Sequence, residues 1–102
     1  MSESVTEYVE IDVIPGSEAA FEAAAARGAE AFRRSAGCRA FTVQRTVERP
    51  STYRVIVQWD TLDNHLVDFR NSPAFGEWRG EVSPHFAAPP RVEHGRTVLA
   101  AF

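Results

Sequence analysis

The chain has 102 residues, enough for one hydrophobic core but not for two, so we expect a single domain over residues 1–102. Its 44% of hydrophobic residues excludes a disordered chain, and its net charge of −3 argues against nucleic acid as a partner. No apolar run approaches the roughly 20 residues of a membrane-spanning helix, so no membrane partner is expected. The N-terminus lacks the pattern of a secretion signal and the only cysteine is Cys38, which together predict a protein of the reducing cytoplasm.

The first predicted elements are a strand and a helix. Val9, Ile11 and Val13 alternate with polar residues, which is the period of a strand with one buried face. Ser17 should then cap a helix that runs through the alanine-rich stretch until Gly37 stops it. The predicted buried stripe of this helix consists of Phe21, Ala25, Gly28 and Phe32.

Two further strands are predicted at residues 38–47 and 53–59, because apolar and polar side chains alternate in both. The turn residues between them, 48–52, predict an antiparallel hairpin. Ile56 marks one side of the second of these strands. The opposite side carries Tyr53, Val55, Val57 and Trp59.

The stretch from residue 59 to 79 predicts two helices and carries the chain's most unusual chemistry. Its first helix should be capped by Thr61, and Leu62, Leu66 and Phe69 recur at the spacing of one helical face. His65 follows Leu62 by three residues, so it should point to the same side. A second helix should begin at the Ser-Pro break, since proline suits a first helical position. Its inward residues are predicted to be Phe75, Trp78 or Arg79, Val82 and Phe86.

A last strand is predicted from residue 92 to about 98. The order strand, helix, strand, strand, helix, short helix, strand is that of a ferredoxin-like βαββαβ fold, an α+β fold with a four-stranded antiparallel sheet. Helices would cover only one face of this sheet, although apolar side chains occur on both. Because an exposed apolar face usually marks a partner surface, we expect two sheets to pack face to face in a homodimer.

Three residue types suggest chemistry, and each also has a purely structural interpretation. His65 has a pKa suited to a general base near neutral pH, but it could equally be a core histidine hydrogen-bonded to backbone. Arg79 could hold an anion, or form a surface ion pair with Glu77. Trp59 and Trp78 could stack on a planar substrate, or only fill the core.

Other residues argue against cofactors. The three histidines are widely spaced without an i, i+4 pair, and no CxxC occurs, so no metal site is expected. No glycine-rich phosphate loop or dinucleotide fingerprint is present, so neither flavin nor nicotinamide is expected. His94 alternates with Val92 on the last strand, where it could reach either the dimer interface or a cavity. Cys38 is interpreted as a small buried hydrophobe.

These features together resemble the antibiotic biosynthesis monooxygenase (ABM) family. Its members are small dimeric α+β barrel proteins and include cofactor-independent quinol and anthrone oxygenases of polyketide pathways. The resemblance covers nearly the whole length, and its markers are Gly37-Cys38-Arg39 with Phe41, Tyr53, Trp59, Ser72-Pro73-Ala74-Phe75, and Pro89-Pro90 followed by Val92-Glu93-His94. It implies an oxygenase of a small aromatic substrate that uses molecular oxygen and no cofactor. The alternatives are a non-catalytic small-molecule-binding module of the same fold, or a related cyclase or isomerase.

The resemblance also implies a set of site residues. In these oxygenases the cavity lies between the sheet and the helices of each subunit, and its polar groups correspond here to Trp59, Val55, His65 and Arg79. The tryptophan and the arginine match, whereas His65 replaces a tyrosine and Val55 an asparagine. The implied catalytic residues are His65 as the base, Arg79 as the anion stabiliser and Trp59 as the orienting aromatic. The implied substrate-binding residues are Val55, Phe69, Trp78 and Phe86.

Overall fold

The computed structural model describes residues 3–102 and contains one four-stranded antiparallel sheet with helices on one face. Its strands are β1 (Val5–Asp12), β2 (Cys38–Arg45), β3 (Thr52–Trp59) and β4 (Arg91–Gly95), in the spatial order β2-β3-β1-β4. The main helices are α1 (Glu18–Arg33) and α2 (Pro73–Val82). A π-helical segment, Asn64–Phe69, precedes α2, and a 3-10 turn, Ser83–His85, follows it. The predicted ferredoxin-like α+β fold is confirmed.

The core lies between the sheet and the two helices. The predicted inner side of β3 is buried, and so is the predicted stripe of α1. Gly28 brings the helices together, because a Cβ at this position would lie 2.7 Å from Cε3 of Trp78. Of the alternatives at this turn of α2, Trp78 is therefore the inward residue and Arg79 is exposed.

The segment between β3 and α2 differs from its prediction in one respect. Thr61 caps it as expected, since Oγ1 accepts the backbone N–H of Asn64 at 3.1 Å, and the Asn64 side chain accepts the N–H of Thr61. The following turn is a π-helix, in which the N–H of Arg70 donates to the carbonyl of His65 five residues back. This wider turn puts His65 and Phe69 on the inner side, while Leu66 is 37% exposed. The prediction that Leu66 shares the buried face was wrong.

The strand ends also differ from the predictions. Strand β2 ends at Arg45 instead of residue 47, and β4 ends at Gly95 instead of residue 98. Beyond Gly95 the chain continues as an arm, residues 96–102, with no regular structure. The large apolar side chains of this arm are exposed: Val98, Leu99 and Phe102.

The open face of the sheet is less apolar than expected. Tyr8 and Ile56 lie opposite each other near its middle, where Tyr8 is 40% exposed and Ile56 is half-buried. Charged side chains flank them, including Arg54 and Arg91. No helix within residues 3–102 is long and apolar enough to cross a membrane.

Candidate active site

A cavity of about 380 Å³ lies between the helices and the part of the sheet formed by β1 and β4. Most of its wall is apolar, and its aromatic residues are Phe32, Phe69, Phe75, Trp78 and Phe86. Its charged or titratable residues are Glu7, His65, Arg70 and Arg79. A few polar groups on an aromatic wall are typical of a site for a flat organic molecule.

A larger groove of about 560 Å³ lies on the open face of the sheet and is lined by Tyr8, Arg54 and Arg91 among others. Its arginines are exposed, and the carboxylate of Glu10 in its wall is already paired with Arg91 and Arg49. Of these two, the smaller cavity is the better candidate for chemistry, because its wall brings the buried Glu7 and His65 together with aromatic side chains.

The sheet and the π-helical segment bring three titratable side chains together, and two of them, Glu7 and His65, line the cavity. Glu7 shares the inner face of β1 with Val5 and Val9, and it is 3% exposed. His94 lies directly opposite Glu7 in the pairing of β1 with β4. His65, on the π-helical segment, contacts both of these side chains and is 2% exposed.

These side chains form a connected set of contacts with Trp59. The indole N–H of Trp59 donates to Oε1 of Glu7 at 2.8 Å. Nε2 of His65 lies 3.4 Å from Oε2 of the same carboxyl group. Nδ1 of His65 and Nε2 of His94 share a hydrogen bond of 2.7 Å. The Trp59 ring also stacks on the His65 ring, with centroids 5.5 Å apart and planes inclined by 17°.

Burial decides the protonation of this group. Desolvation raises the pKa of Glu7 to about 7, against the opposing effects of the Trp59 hydrogen bond and of Arg70. Desolvation also lowers the pKa of His65 to about 4, and His94 and Arg70 act in the same direction. The distance alone would permit an ion pair, but two buried charges lose more solvation than their attraction returns. His65 is therefore neutral at pH 7, and Glu7 titrates near that pH.

Five of the seven predicted site residues line the cavity: His65, Arg79, Phe69, Trp78 and Phe86. Arg79 is exposed, with its guanidinium carbon 6.0 Å from the centre of the Phe75 ring. Glu77, the acid considered as its partner, binds Arg34 instead, at 2.7 Å.

The other two predicted residues lie elsewhere. Trp59 is fully buried behind Glu7 and His65, so it contacts the titratable pair and is not part of the cavity wall. Val55 is also fully buried and belongs to the core. It is therefore not among the residues that line the cavity.

Glu7 and Arg70 line the cavity but were not predicted as site residues, and His94, whose place was left open, contacts His65. For Glu7 a signal was available. It lies at even spacing from Val5, Val9 and Ile11, so strand alternation alone puts this carboxyl group on the buried face. Cys38, interpreted from the sequence as a small buried hydrophobe, is half-buried, and desolvation raises the pKa of its thiol.

The fold and this cavity place the protein among α+β proteins with a ferredoxin-like sheet and a ligand-sized cavity under its helices. Residues 4–81 match the family model described as antibiotic biosynthesis monooxygenase, and the chain belongs to this family. A Bordetella bronchiseptica protein named for the same family has a crystal structure that is 44% identical in sequence. The match has a TM-score of 0.92 and covers 95% of this chain and 99% of that one.

Two further relatives are informative. SnoaB of Streptomyces nogalater, described as a cofactor-independent oxygenase, is 25% identical with a TM-score of 0.77, over 98% of this chain and 97% of that chain. YczJ of Bacillus subtilis (strain 168), an uncharacterised protein, is 28% identical over 94 residues, which are 92% of this chain and 99% of YczJ.

Proposed function

We propose that this protein is a cofactor-independent monooxygenase that acts on a small aromatic substrate of polyketide type, such as an anthrone or a quinol. The observation that carries the proposal is the buried Glu7–His65 pair on the wall of an aromatic cavity. Membership of the ABM family and the likeness to SnoaB, itself a cofactor-independent oxygenase, support the same reaction class.

The first step of this reaction is the removal of a proton from the substrate, which requires a base. Removal of a proton makes an anthrone or quinol electron-rich enough to give an electron directly to molecular oxygen. A pair that holds a neutral imidazole next to a carboxyl group titrating near pH 7 suits this step. Trp59 acts from behind the pair, where its N–H fixes the carboxyl group and its ring fixes the imidazole.

The remaining polar residues suit the negative charge that develops. Arg70 and Arg79 line the cavity and can stabilise a phenolate or a peroxide through charge and paired hydrogen bonds. Phe69, Trp78 and Phe86 offer flat apolar surface to aromatic rings. For an anthrone the balance is simple. The CH₂ group and O₂ become a ketone and water, so no other reductant is consumed.

Oxygen uptake tests the proposal. Metal-stripped, flavin-free protein should consume oxygen with anthrones or hydroquinones faster than the uncatalysed rate. His65→Gln keeps the size and hydrogen bonding of the side chain but removes its basicity, and turnover should fall by roughly 10²–10⁴ with little change in substrate affinity. His85→Gln is the matched control, because His85 lies in the 3-10 turn outside the cavity wall.

Two other results would point to the alternatives. Tight binding of several aromatics without oxygen uptake would favour a binding module that carries or sequesters a hydrophobic molecule. Conversion of substrate without oxygen consumption would favour a cyclase or isomerase of the same fold.

We also propose that the working form is a homodimer of the cytoplasm. The arm, residues 96–102, exposes Val98, Leu99 and Phe102, and the open face of the sheet exposes Tyr8. A second copy placed on the open face would cover Tyr8, and the apolar side chains of the arm offer a further surface for a partner copy to cover. A stable interface of this kind buries on the order of 1,000 Å² or more in total.

A further inference from the structure

We propose that Glu7, His65 and His94 act as one acid–base unit, which takes a proton from the substrate, stores it during the reaction with oxygen and returns it to the oxygenated product. This inference rests on the proposed oxygenase function and adds to it the path of the proton. It assigns Glu7 to the substrate end of the unit and His94 to the far end.

The contacts of His65 carry the argument. Its Nδ1 is hydrogen-bonded to His94 and its Nε2 faces Glu7, so both ring nitrogens already have protein partners. Because both ring nitrogens point at protein groups, neither of them is directed at a substrate in the cavity. Glu7 is therefore the group of the unit that accepts a proton from the cavity, which its side chain lines.

The opposite end of the unit lies closer to solvent. His94 is half-buried on β4, which is an edge strand of the sheet. The hydrogen bond of 2.7 Å to His65 involves Nε2 of the His94 ring. A proton that reaches His94 is removed from the cavity by the full width of the His65 ring.

The proton moves through the unit in balanced steps. Before reaction Glu7 is a carboxylate, and His65 donates its Nδ1–H to Nε2 of His94. The substrate C–H or O–H gives its proton to Glu7, which passes it to Nε2 of His65 as Nδ1–H moves to His94. Because the pKa of Glu7, about 7, lies above the lowered pKa values of both histidines, the stored proton returns readily to Glu7. The 3.4 Å between Glu7 and His65 must shorten for this transfer, and such contacts often tighten only when substrate is bound.

The overall reaction requires the proton to return. With an anthrone, loss of one proton leaves a carbanion, and oxygen converts it into a peroxide anion. Reversal of the transfer gives the proton back to this peroxide. The hydroperoxide then loses water as its C–H proton leaves, and the ketone forms. No net proton is released, so a store next to the cavity fits this chemistry better than an open channel to solvent.

The charges around the unit limit it to one stored proton. Arg70, at the end of the π-helical segment, lowers the pKa values of Glu7, His65 and His94. Cys38, at the start of β2, is the remaining titratable group whose pKa responds to Glu7. Arg79 lines the same cavity from α2. A second proton would add to the positive charge that Arg70 already places next to the unit.

The variant His94→Gln tests the far end of the unit. Glutamine can still bond to Nδ1 of His65 but cannot take up a proton. We expect the maximal rate to fall by roughly 10- to 100-fold with the Michaelis constant changed less than about threefold, and millimolar imidazole should restore part of the rate. The control variant His85→Gln should keep the wild-type maximal rate, and imidazole should not change that rate. Full activity of His94→Gln, or a loss that imidazole does not relieve, would overturn the storage role.

Nitrogen-15 spectra of the histidine rings test the unit without substrate. Between pH 5 and 9 the signals of His65 and His94 should shift together, following the titration of Glu7, and Glu7→Gln should abolish this common shift. Independent titration of the two rings would overturn the proposal. Coupled rings in a protein that consumes no oxygen would support the unit while overturning the proposed oxygenase function.

Discussion

Replacing Glu7 by glutamine separates the charge of the buried carboxyl group from its hydrogen bonds. The amide oxygen can still accept the indole N–H of Trp59, and the amide N–H can donate to Nε2 of His65 as a protonated carboxyl group would. Glutamine differs from the protonated carboxyl group mainly in that it cannot ionise. The variant therefore reports the free-energy cost of ionising Glu7 in the folded protein.

That cost follows from the pKa of Glu7, which burial raises from its ordinary value of 4.5 to about 7. Because the folded state holds this proton more tightly than the unfolded state, the resulting stabilisation is complete below pH 4.5 and is lost as the pH rises through 7. Since a shift of one pKa unit corresponds to 1.36 kcal/mol, the free energy of unfolding falls by about 3 kcal/mol over this pH range.

His65 acts in the opposite sense. Its pKa is lowered from 6.5 to about 4, so its contribution to stability is complete above pH 6.5 and is lost as the pH falls through 4. The two trends oppose each other between pH 4.5 and 6.5, and the wild-type profile should be nearly flat there. The difference between variant and wild type is therefore the informative quantity.

Urea unfolding at pH 4.5 and pH 8, at one protein concentration, measures this difference. The free energy of unfolding of Glu7→Gln, relative to wild type, should rise by about 3 kcal/mol between the two pH values. Glu48→Gln, in the exposed turn between β2 and β3, should show no such rise. A difference that stays constant with pH would mean that Glu7 ionises as an ordinary carboxylate, and the protonated-carboxyl argument would then fail.

Two further predictions concern packing and assembly. Gly28→Ala should lower the free energy of unfolding by roughly 1–3 kcal/mol, because its Cβ would lie 2.7 Å from Trp78. Gly76→Ala in α2, where a Cβ meets nothing within 4 Å, should be neutral or stabilise by up to about 1 kcal/mol, and equal losses in both variants would contradict the close approach of the helices. Light scattering should give about twice the chain mass of 11.3 kDa, and removal of residues 96–102 should shift the protein toward monomer. A wild-type monomer at micromolar concentration would rule out the dimer.

Much of this fold is predictable because its elements are simple in pattern. Strand alternation placed the buried side of β3, and helical spacing placed the stripe of α1, residue by residue. The π-helical segment was beyond such reasoning, since periodicity arguments assume 3.6 residues per turn. Because the hydrogen bond of this segment spans five residues instead of four, Leu66 points to solvent while His65 is buried.

The site was harder to predict than the fold because it depends on pairing between distant strands. The position of His65 follows from local spacing, but its contact with His94 requires the register of β1 with β4 and the descent of the π-helical segment. The side chain of Glu7 was predictable from alternation in β1, had the strand been extended back past Val9. For Trp59 the position in the sequence matched the family pattern, but that match did not give the location of the side chain. Its ring lies behind the cavity wall.

The free-energy cost of burying Glu7 supports the proposal that this side chain on the inner face of β1 takes part in the reaction. Its neighbours on that face are Val5, Val9 and Ile11, and a fourth aliphatic residue would pack against Val57 without a desolvation cost. The carboxyl group instead weakens the fold as the pH approaches 7, and it needs Trp59 to satisfy one of its oxygens. A group that lowers stability at working pH, lines a cavity and touches a neutral histidine is a candidate for a functional site, and a pKa near 7 suits the proton acceptance that we propose for it.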